Sequence, residues 1–265
     1  MRLITSLDEL NPVINRMRAL KKPLTLGFTG VPPEPILREA IAVSSKVVDL
    51  DMPAGHDISV AETIIPKISC ATLRTIASNA LLYKDLDWII LSAGYDKCDG
   101  GRFLGMQLQK ILSIPVLLTE NRSLERRGNP ICESGLPLLE KMERIVNGLI
   151  SDTLSGDIKK TDPAFGFWGV PPNDFSVLKL FPDNTHIFGW ARCMENRTPS
   201  DTELEELVDP AIPTVFFAQA FCPKNILAYR LASQYNGLYV EVDSRVDHSI
   251  KAKIEAFLWI QGKKL

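Results

Sequence analysis

The sequence has little of several features that would point to a particular class of protein. Its 30 basic and 32 acidic residues give a formal net charge of −2, so it lacks the basic surface by which proteins bind nucleic acids or anionic membranes. The longest stretch without Asp, Glu, Lys, Arg or His spans residues 210–223, and these 14 residues are too few for a transmembrane helix. Asp8 and Glu9 lie where a secretory signal would need an apolar segment. We therefore expect a cytoplasmic protein with neither a nucleic-acid partner nor a membrane partner.

Several metal and nucleotide motifs are also absent. The five cysteines are single, whereas zinc fingers and ribbons need pairs about two to four residues apart. The closely spaced cysteines of bacterial ferredoxins are missing as well. No Walker-type glycine-rich loop ending in Lys and Ser or Thr occurs, which excludes a P-loop ATPase. Thiols stay reduced in the cytoplasm, so these cysteines need not form disulfides.

Short apolar runs alternate along the chain with segments of helical periodicity. Strand, helix and strand in regular succession are typical of parallel sheets covered by helices on both faces. The pattern predicts an α/β protein of two similar, doubly wound, mainly parallel domains with a cleft between them. The predicted strands span residues 24–28, 46–50, 88–92, 115–119, 186–190, 214–218 and 238–242. The predicted helices span residues 7–20, 34–43, 71–83, 102–112, 133–148, 223–234 and 248–260.

A polar segment without periodicity, residues 151–162, interrupts this alternation and predicts a linker. The expected division is a first α/β domain over residues 1–155, which includes an N-terminal helix, and a smaller second α/β domain over residues 156–265.

The two halves share a short repeat. Residues 26–33 read Leu-Gly-Phe-Thr-Gly-Val-Pro-Pro, and residues 165–172 read Phe-Gly-Phe-Trp-Gly-Val-Pro-Pro. The second glycine permits a sharp turn after a strand, and the prolines fix φ where a helix begins. Chance similarity is the alternative for so short a stretch, but the cysteine spacing supports a true repeat.

Four cysteines follow the same two-part arrangement. Cys70 lies 28 residues before Cys98, and Cys193 lies 29 residues before Cys222. In each pair the second cysteine follows a predicted strand, where ligands of parallel sheets collect, and a helix N-terminus there favours thiolate. Two facing domains would bring four thiols to one cleft, as zinc or an iron–sulfur cluster requires. The alternative is that each cysteine is a small buried hydrophobe, which is the role we expect for the unmatched Cys132.

Several stretches resemble, in order, the iron–sulfur subunits of 2-hydroxyacyl-CoA dehydratases and benzoyl-CoA reductases, of the dehydratase D-component type. The first is Gly-Val-Pro-Pro-Glu-Pro-Ile-Leu at residues 30–37, followed by the helix start at Cys70 and by Cys-Asp-Gly-Gly-Arg at residues 98–102. The others are Phe-Cys-Pro at residues 221–223, the acidic strand end at residues 240–243, and Lys-Ile-Glu-Ala-Phe-Leu at residues 253–258.

The resemblance implies two similar α/β domains with a [4Fe–4S] cluster between them, a cofactor that air can remove. Cys70, Cys98 and Cys222 would hold the cluster and leave one iron open. Asp99 would cap the helix of the second ligand, and Arg102 would offset cluster charge. The resemblance also implies two partners: a separate ATP-dependent activator that would supply a low-potential electron, and a sister subunit. The substrate would be an acyl-CoA thioester, which the protein would either dehydrate as a lyase or reduce.

The chain also departs from that family. It is shorter, and it lacks a middle segment that contributes to the family's substrate cleft. Cys193 is an additional candidate ligand that would close the fourth iron position, and a closed cluster favours electron transfer or sensing. The alternative function is a non-catalytic homologue, with zinc or no metal, that binds a small molecule or cofactor or serves as a partner subunit.

Overall fold

The computed structural model describes residues 2–151, 158–171 and 173–263. It confirms the predicted fold class, because two four-stranded sheets, each entirely parallel, are interleaved with helices. Two compact units are present: unit 1 comprises Met1–Leu124 with Arg197–Pro199, and unit 2 comprises Glu125–Asn196 with Ser200–Leu265. The predicted domain boundary at residues 155/156 and the middle of the predicted linker lie outside the described residues.

The sheet of unit 1 has the strand order β2-β1-β3-β4. The order reverses at β1, as in other doubly wound sheets. Strands β1 and β3 are buried along their whole length, which explains their continuous apolar sequences. The strands are β1 (Thr25–Thr29), β2 (Lys46–Asp49), β3 (Trp88–Ser92) and β4 (Val116–Thr119). The α-helices are α1 (Leu7–Ala19), α2 (Glu34–Ala42), α3 (Ala71–Leu82) and α4 (Asp99–Ile111), and a 3-10 helix spans Ile58–Thr63.

The sheet of unit 2 repeats this topology with the order β6-β5-β7-β8. Its strands are β5 (Phe165–Trp168), β6 (Thr185–Phe188), β7 (Thr214–Gln219) and β8 (Leu238–Val242). Its α-helices are α5 (Leu138–Ile150), α6 (Trp190–Asn196), α7 (Thr202–Glu206), α8 (Lys224–Gln234) and α9 (His248–Gly262), and a 3-10 helix spans Phe175–Leu180. None of the helices within the described ranges combines the length and apolar character that a membrane span needs.

Two helix starts differ from the sequence-based expectation, each for a local reason. Helix α5 begins after Pro137, five residues later than predicted, because the proline ring clashes with the preceding turn and lacks an N–H for its hydrogen bond. Helix α4 begins at Asp99, three residues earlier than predicted, because Cys98 acts as its N-cap. The two glycines that follow Asp99 conceal this start, since glycine is a poor helix former.

The glycine of the repeat closes the first strand of each unit with a left-handed backbone conformation. Gly30 has φ +64° and Gly169 has φ +116°. At Gly169 the neighbouring strand also forbids a side chain, because a Cβ atom there would lie 2.1 Å from the carbonyl oxygen of Phe217. The backbone of β7 would have to move to make room for a side chain at residue 169. Both the positive φ and this close contact therefore require glycine at the turn.

We expect Gly169→Ala to lower the free energy of unfolding by roughly 3 kcal/mol or more, because backbone strain of about 1–3 kcal/mol adds to the clash with Phe217. Gly128→Ala is the matched control: Gly128 has φ +92° but open space around its Cα, so we expect only the strain. Urea denaturation of both variants measures the difference. Equal losses would show that crowding at residue 169 contributes nothing.

Candidate functional site

Cys70 and Cys98 occupy equivalent positions at the starts of two neighbouring helices of unit 1. Cys70 is the N-cap of α3, and Cys98 is the N-cap of α4. Helix α3 follows β2 and α4 follows β3, so both thiols lie at the edge where the parallel strands end. The first turns of both helices direct their backbone N–H groups and partial positive charge toward this edge, which favours thiolate over thiol.

The two helix starts are in direct contact. A Cβ atom at residue 100 would lie 2.8 Å from Cδ1 of Leu73, in the first turn of α3. At residue 101 the nearest atoms would be at ordinary contact distances, 3.8 Å from Cys98 Sγ and 3.9 Å from Leu73 Cδ2. Gly100 therefore permits the close approach of α3 and α4 that brings the segments carrying the two cysteines together.

Cys98 caps α4 with its sulfur. Its Sγ accepts a hydrogen bond from the Gly101 N–H at 3.4 Å, and its side chain is exposed. Asp99 was expected to cap this helix, but it is the first helical residue, is exposed, and forms an ion pair with Arg102 at 3.5 Å. The Arg102 guanidinium also lies over the exposed ring of Tyr95, 5.3 Å from its centroid.

Cys222 lies in the β7–α8 loop of unit 2, after the strand that corresponds to β3. It is half-buried, and its N–H donates to the Gln219 carbonyl at 3.2 Å. The preceding Phe221 is exposed and has φ +63°, a strained conformation for an aromatic residue. Such strain is often retained at functional sites, which makes this loop consistent with the ligand role that the resemblance implies.

Cys193 lies inside a helix, whereas Cys70 and Cys98 cap helices and Cys222 lies in a loop. It is a fully buried residue within α6, and its Sγ is 4.0 Å from the Asp201 carbonyl oxygen. Burial raises the pKa of its thiol to about 11, so the thiol is protonated at neutral pH. This placement favours a packing role for Cys193 within unit 2.

The donor set for a metal is incomplete within either unit. In the described part of the chain, no group of three or more His, Cys, Asp or Glu side chains is arranged to hold a metal ion. All five cysteines are described and none forms a disulfide. The thiols at the starts of α3 and α4 have the donor chemistry that iron and zinc prefer, and unit 1 supplies these two.

A group of polar side chains that the sequence analysis did not identify lies at the same edge of unit 1. Asp49 ends β2, and Asp51 follows two residues later. The Asp51 N–H donates to an Asp49 carboxylate oxygen at 2.9 Å, and the Asp51 carboxylate accepts a hydrogen bond from the Gly30 N–H. Ser92 ends β3, and its buried hydroxyl has no hydrogen-bond partner among the described residues. The signal in the sequence was the Asp-Leu-Asp triplet, which places two carboxylates on one side of the chain and Leu50 on the other.

A second set of buried ionisable groups surrounds Cys132 in unit 2. Glu195 accepts hydrogen bonds from the N–H groups of Ile131 and Cys132, at 2.6 and 3.0 Å. The fully buried Lys141 donates to the Thr185 carbonyl at 2.6 Å. Burial, reinforced by Glu195, raises the pKa of the Cys132 thiol well above its ordinary value. These contacts tie the loop before α5 to α6, and α5 itself to β6, so we assign this set a structural role.

The contact between α3 and α4 yields a test with a matched pair of variants. We expect Gly101→Ala to raise the free energy of unfolding by up to about 1 kcal/mol, because alanine favours a helix over glycine. Gly100→Ala gains the same propensity but pushes against Leu73, so we expect it to be roughly 1 kcal/mol less stable than Gly101→Ala. Chemical denaturation measures both. Identical stabilities would contradict the close approach of the two helix starts.

Lys141 makes stability depend on pH in a definite direction. Burial lowers its pKa to about 8, whereas the unfolded chain titrates near the ordinary value of about 10.4. Between these values the unfolded state binds the proton that the folded state has lost, so this contribution to stability rises with pH, by about 3 kcal/mol in total.

We therefore expect the difference in unfolding free energy between Lys141→Met and the natural protein to change by that amount between pH 8 and pH 10.4, in favour of the natural protein. Lys159→Met, which changes an exposed lysine, should show no such trend. Urea denaturation at a series of pH values gives the comparison, and parallel curves for the natural protein and Lys141→Met would refute the assignment.

Comparison with known proteins adds no family to this description. The chain matches no protein-family model and no curated protein. The resemblance to the dehydratase and reductase subunits therefore stays a prediction from the sequence motifs.

Proposed function

We propose that the chain is an iron–sulfur protein in which Cys70 and Cys98 are two of the ligands of a [4Fe–4S] cluster. The observation that carries the proposal is the contact between the first turns of α3 and α4, each of which begins with a cysteine N-cap. A cluster of this kind needs at least a third thiolate. The proposal assigns it to Cys222, as the resemblance does.

The local electrostatics support thiolate ligands at these positions. Each sulfur lies at the positive end of a helix dipole. Both cysteines are followed four residues later by an arginine, Arg74 in α3 and Arg102 in α4, and these cations would balance the negative charge of thiolates and cluster. Bound there, a cluster would supply one-electron transfer, while the helix starts and arginines would hold it and set its charge balance.

The surroundings of the two cysteines also favour contact with another molecule. Ile68, Tyr95 and Phe103 lie within five residues of Cys70 or Cys98 and are 65%, 80% and 62% exposed. Large apolar side chains exposed near a functional site are typical of interaction surfaces. We propose that an electron-donating, ATP-dependent activator or a sister subunit covers them, and that the acceptor is an acyl-CoA thioester.

A second candidate function is a binding protein that carries out no redox chemistry. It is favoured by the finding that the described residues contain no group of three side chains arranged for a metal. Such a protein would use the polar edge of unit 1 for a small molecule and would need neither iron nor an electron donor.

Reconstitution with iron and sulfide under strict exclusion of oxygen separates the two candidates. We expect a brown protein with about four irons per chain and an electron paramagnetic resonance signal after reduction. Cys70→Ser, Cys98→Ser and Cys222→Ser should each lose most of the iron, because serine is a poor ligand for it. Cys132→Ser, a change at a buried cysteine with no assigned ligand role, should retain it.

The fate of Cys193→Ser decides the number of ligands. Retention of the full signal leaves three thiolates and an open iron, whereas loss makes Cys193 the fourth ligand. Protein that stays colourless and free of iron, or that binds the same iron in Cys70→Ser and Cys98→Ser, would exclude the cluster and leave the second candidate.

A further inference from the structure

The strand order of the unit 1 sheet reverses next to β1, and ligands of such sheets bind where that reversal opens a crevice. Gly30 ends β1 at this point. Three polar groups from other strands converge on it: the carboxylate of Asp51 after β2, the hydroxyl of Ser92 at the end of β3, and the side chain of Lys97 in the loop before α4.

The missing side chain of Gly30 leaves these groups close to one another. The position that a Cβ atom of residue 30 would take lies 3.2 Å from Ser92 Oγ and 3.5 Å from Lys97 Cε. Ser92 is 6% exposed, and its hydroxyl lacks a hydrogen-bond partner in the described part of the chain. A buried hydroxyl in that state costs about 1–3 kcal/mol, so its retention beside other polar groups points to a ligand that hydrogen-bonds it.

The two aspartates are close neighbours on one turn. The Asp51 N–H donates to an Asp49 carboxylate oxygen at 2.9 Å, and the Asp51 carboxylate accepts from the Gly30 N–H. Both residues are half-buried, so a small molecule at the sheet edge can reach them. The charge of one carboxylate disfavours ionisation of the other, so two neighbouring carboxyls can hold one proton between them.

The charged groups that face the pair favour a state in which one carboxyl is protonated and the other is ionised. Lys97 is the nearest cation to Asp51, and it forms an ion pair with Asp96 at 3.0 Å. Beyond Asp96 lies Glu120, which is paired with Arg122. One lysine shared between Asp51 and Asp96 stabilises a single negative charge on the pair more readily than two.

We propose that the Asp49–Asp51 pair is an acid–base site for a small molecule that presents a hydroxyl or carbonyl oxygen to Ser92. In the forward step the O–H bond of Asp49 breaks and its proton forms a new O–H bond on that oxygen, while the Asp51 carboxylate removes a proton from another atom of the same molecule. The pair then again carries one proton, now on Asp51. Transfer of that proton from Asp51 to Asp49 restores the starting state.

The titration behaviour of the pair supports this division of roles. Burial raises the pKa of the Asp49 carboxyl well above its ordinary value, and the neighbouring Asp51 carboxylate raises it further. Burial also raises the pKa of Asp51, although the Gly30 N–H and Lys97 oppose that rise. Because the Gly30 N–H and Lys97 stabilise the charge of Asp51, the shared proton is assigned to Asp49, in a pH range where an exposed aspartate has already lost its own.

The acid–base site consists of residues of unit 1 and does not require iron. If the proposed function holds, the same proton would suit a hydroxyl group that leaves an acyl thioester as water. The carboxyl pair can therefore be tested in the full chain without a metal, and its failure would be separate from a failure to bind a cluster.

Glycidol, a small epoxide, is a suitable probe because its opening requires both members of the pair. The Asp51 carboxylate attacks a ring carbon and forms a C–O bond, the ring C–O bond breaks, and the ring oxygen takes the proton of Asp49. We expect mass spectrometry of the full chain to show one ester within residues 49–51. The rate of its formation should fall as the pH rises and the shared proton is lost.

Variants assign the roles. Asp49→Asn should slow the labelling roughly 100-fold, as expected for the loss of a general acid, and Asp51→Asn should abolish it. Ser92→Ala should slow it about 5-fold through the lost hydrogen bond. Asp85→Asn, which changes an exposed aspartate, should leave the rate unchanged.

Infrared spectroscopy of the natural protein with ¹³C-labelled aspartate measures carboxyl protonation directly. This test does not depend on whether any variant folds. A protonated carboxyl band should persist at a pH at which exposed aspartates are ionised. Its absence, or labelling spread evenly over exposed carboxylates, would overturn the proposal, and so would an unchanged rate in Ser92→Ala.

Discussion

The parallel arrangement of every strand is the constraint on which the rest of the structure depends. A parallel connection must return the chain to the end from which it started, so the carboxyl ends of all strands and the N-termini of the following helices share one edge. In unit 1 this geometry alone gathers residues that are far apart in the sequence: Asp49 from β2, Ser92 from β3, and the cysteines that begin α3 and α4. The candidate functional side chains of unit 1 therefore lie at one edge of the sheet, because the parallel topology places all strand ends of this kind there.

The two units share a topology but use this edge differently. In unit 2 the first strand ends in Trp168, whose Nε1 donates to the Glu205 carbonyl at 2.7 Å, and the second strand ends in Phe188. The indole ring lies so close to Gly189 that a Cβ atom there would be 2.9 Å from it. Apolar packing thus occupies the place that carboxyl groups take in unit 1. Hydrophobic burial holds this edge of unit 2 together, whereas the corresponding edge of unit 1 carries the carboxyl groups of Asp49 and Asp51.

Much of the fold was predictable from the sequence, because the signals involved are local. Strand β3 matched its predicted range, and α3 its predicted start, since a continuous apolar run and a 3.6-residue period require no knowledge of partners. The starts of α4 and α5 were displaced by Cys98 and Pro137, single residues that act through capping and steric exclusion.

The candidate site was predictable only in part. The positions of Cys70 and Cys98 before helices followed from the helical patterns behind them. The Asp49–Asp51 pair did not follow, because its meaning depends on β2 lying beside β1 and on the burial of two carboxyls, which only the tertiary structure determines. Cys193 comes three residues after the predicted strand 186–190, but a short helix that was not predicted carries it into the interior.

Environment separates the five cysteines more sharply than spacing does. The thiols of Cys132 and Cys193 are buried, and burial raises the pKa of both, so they are neutral groups that pack in unit 2. Cys98 is exposed and accepts a backbone N–H at a helix start, a position that stabilises a negative sulfur. A ligand must be a thiolate before it binds a metal. The same physical property, the free energy of a charged sulfur, therefore favours Cys98 as a ligand and disfavours Cys132 and Cys193. Cys70 is also buried, and it is its position at a helix start that favours a thiolate there.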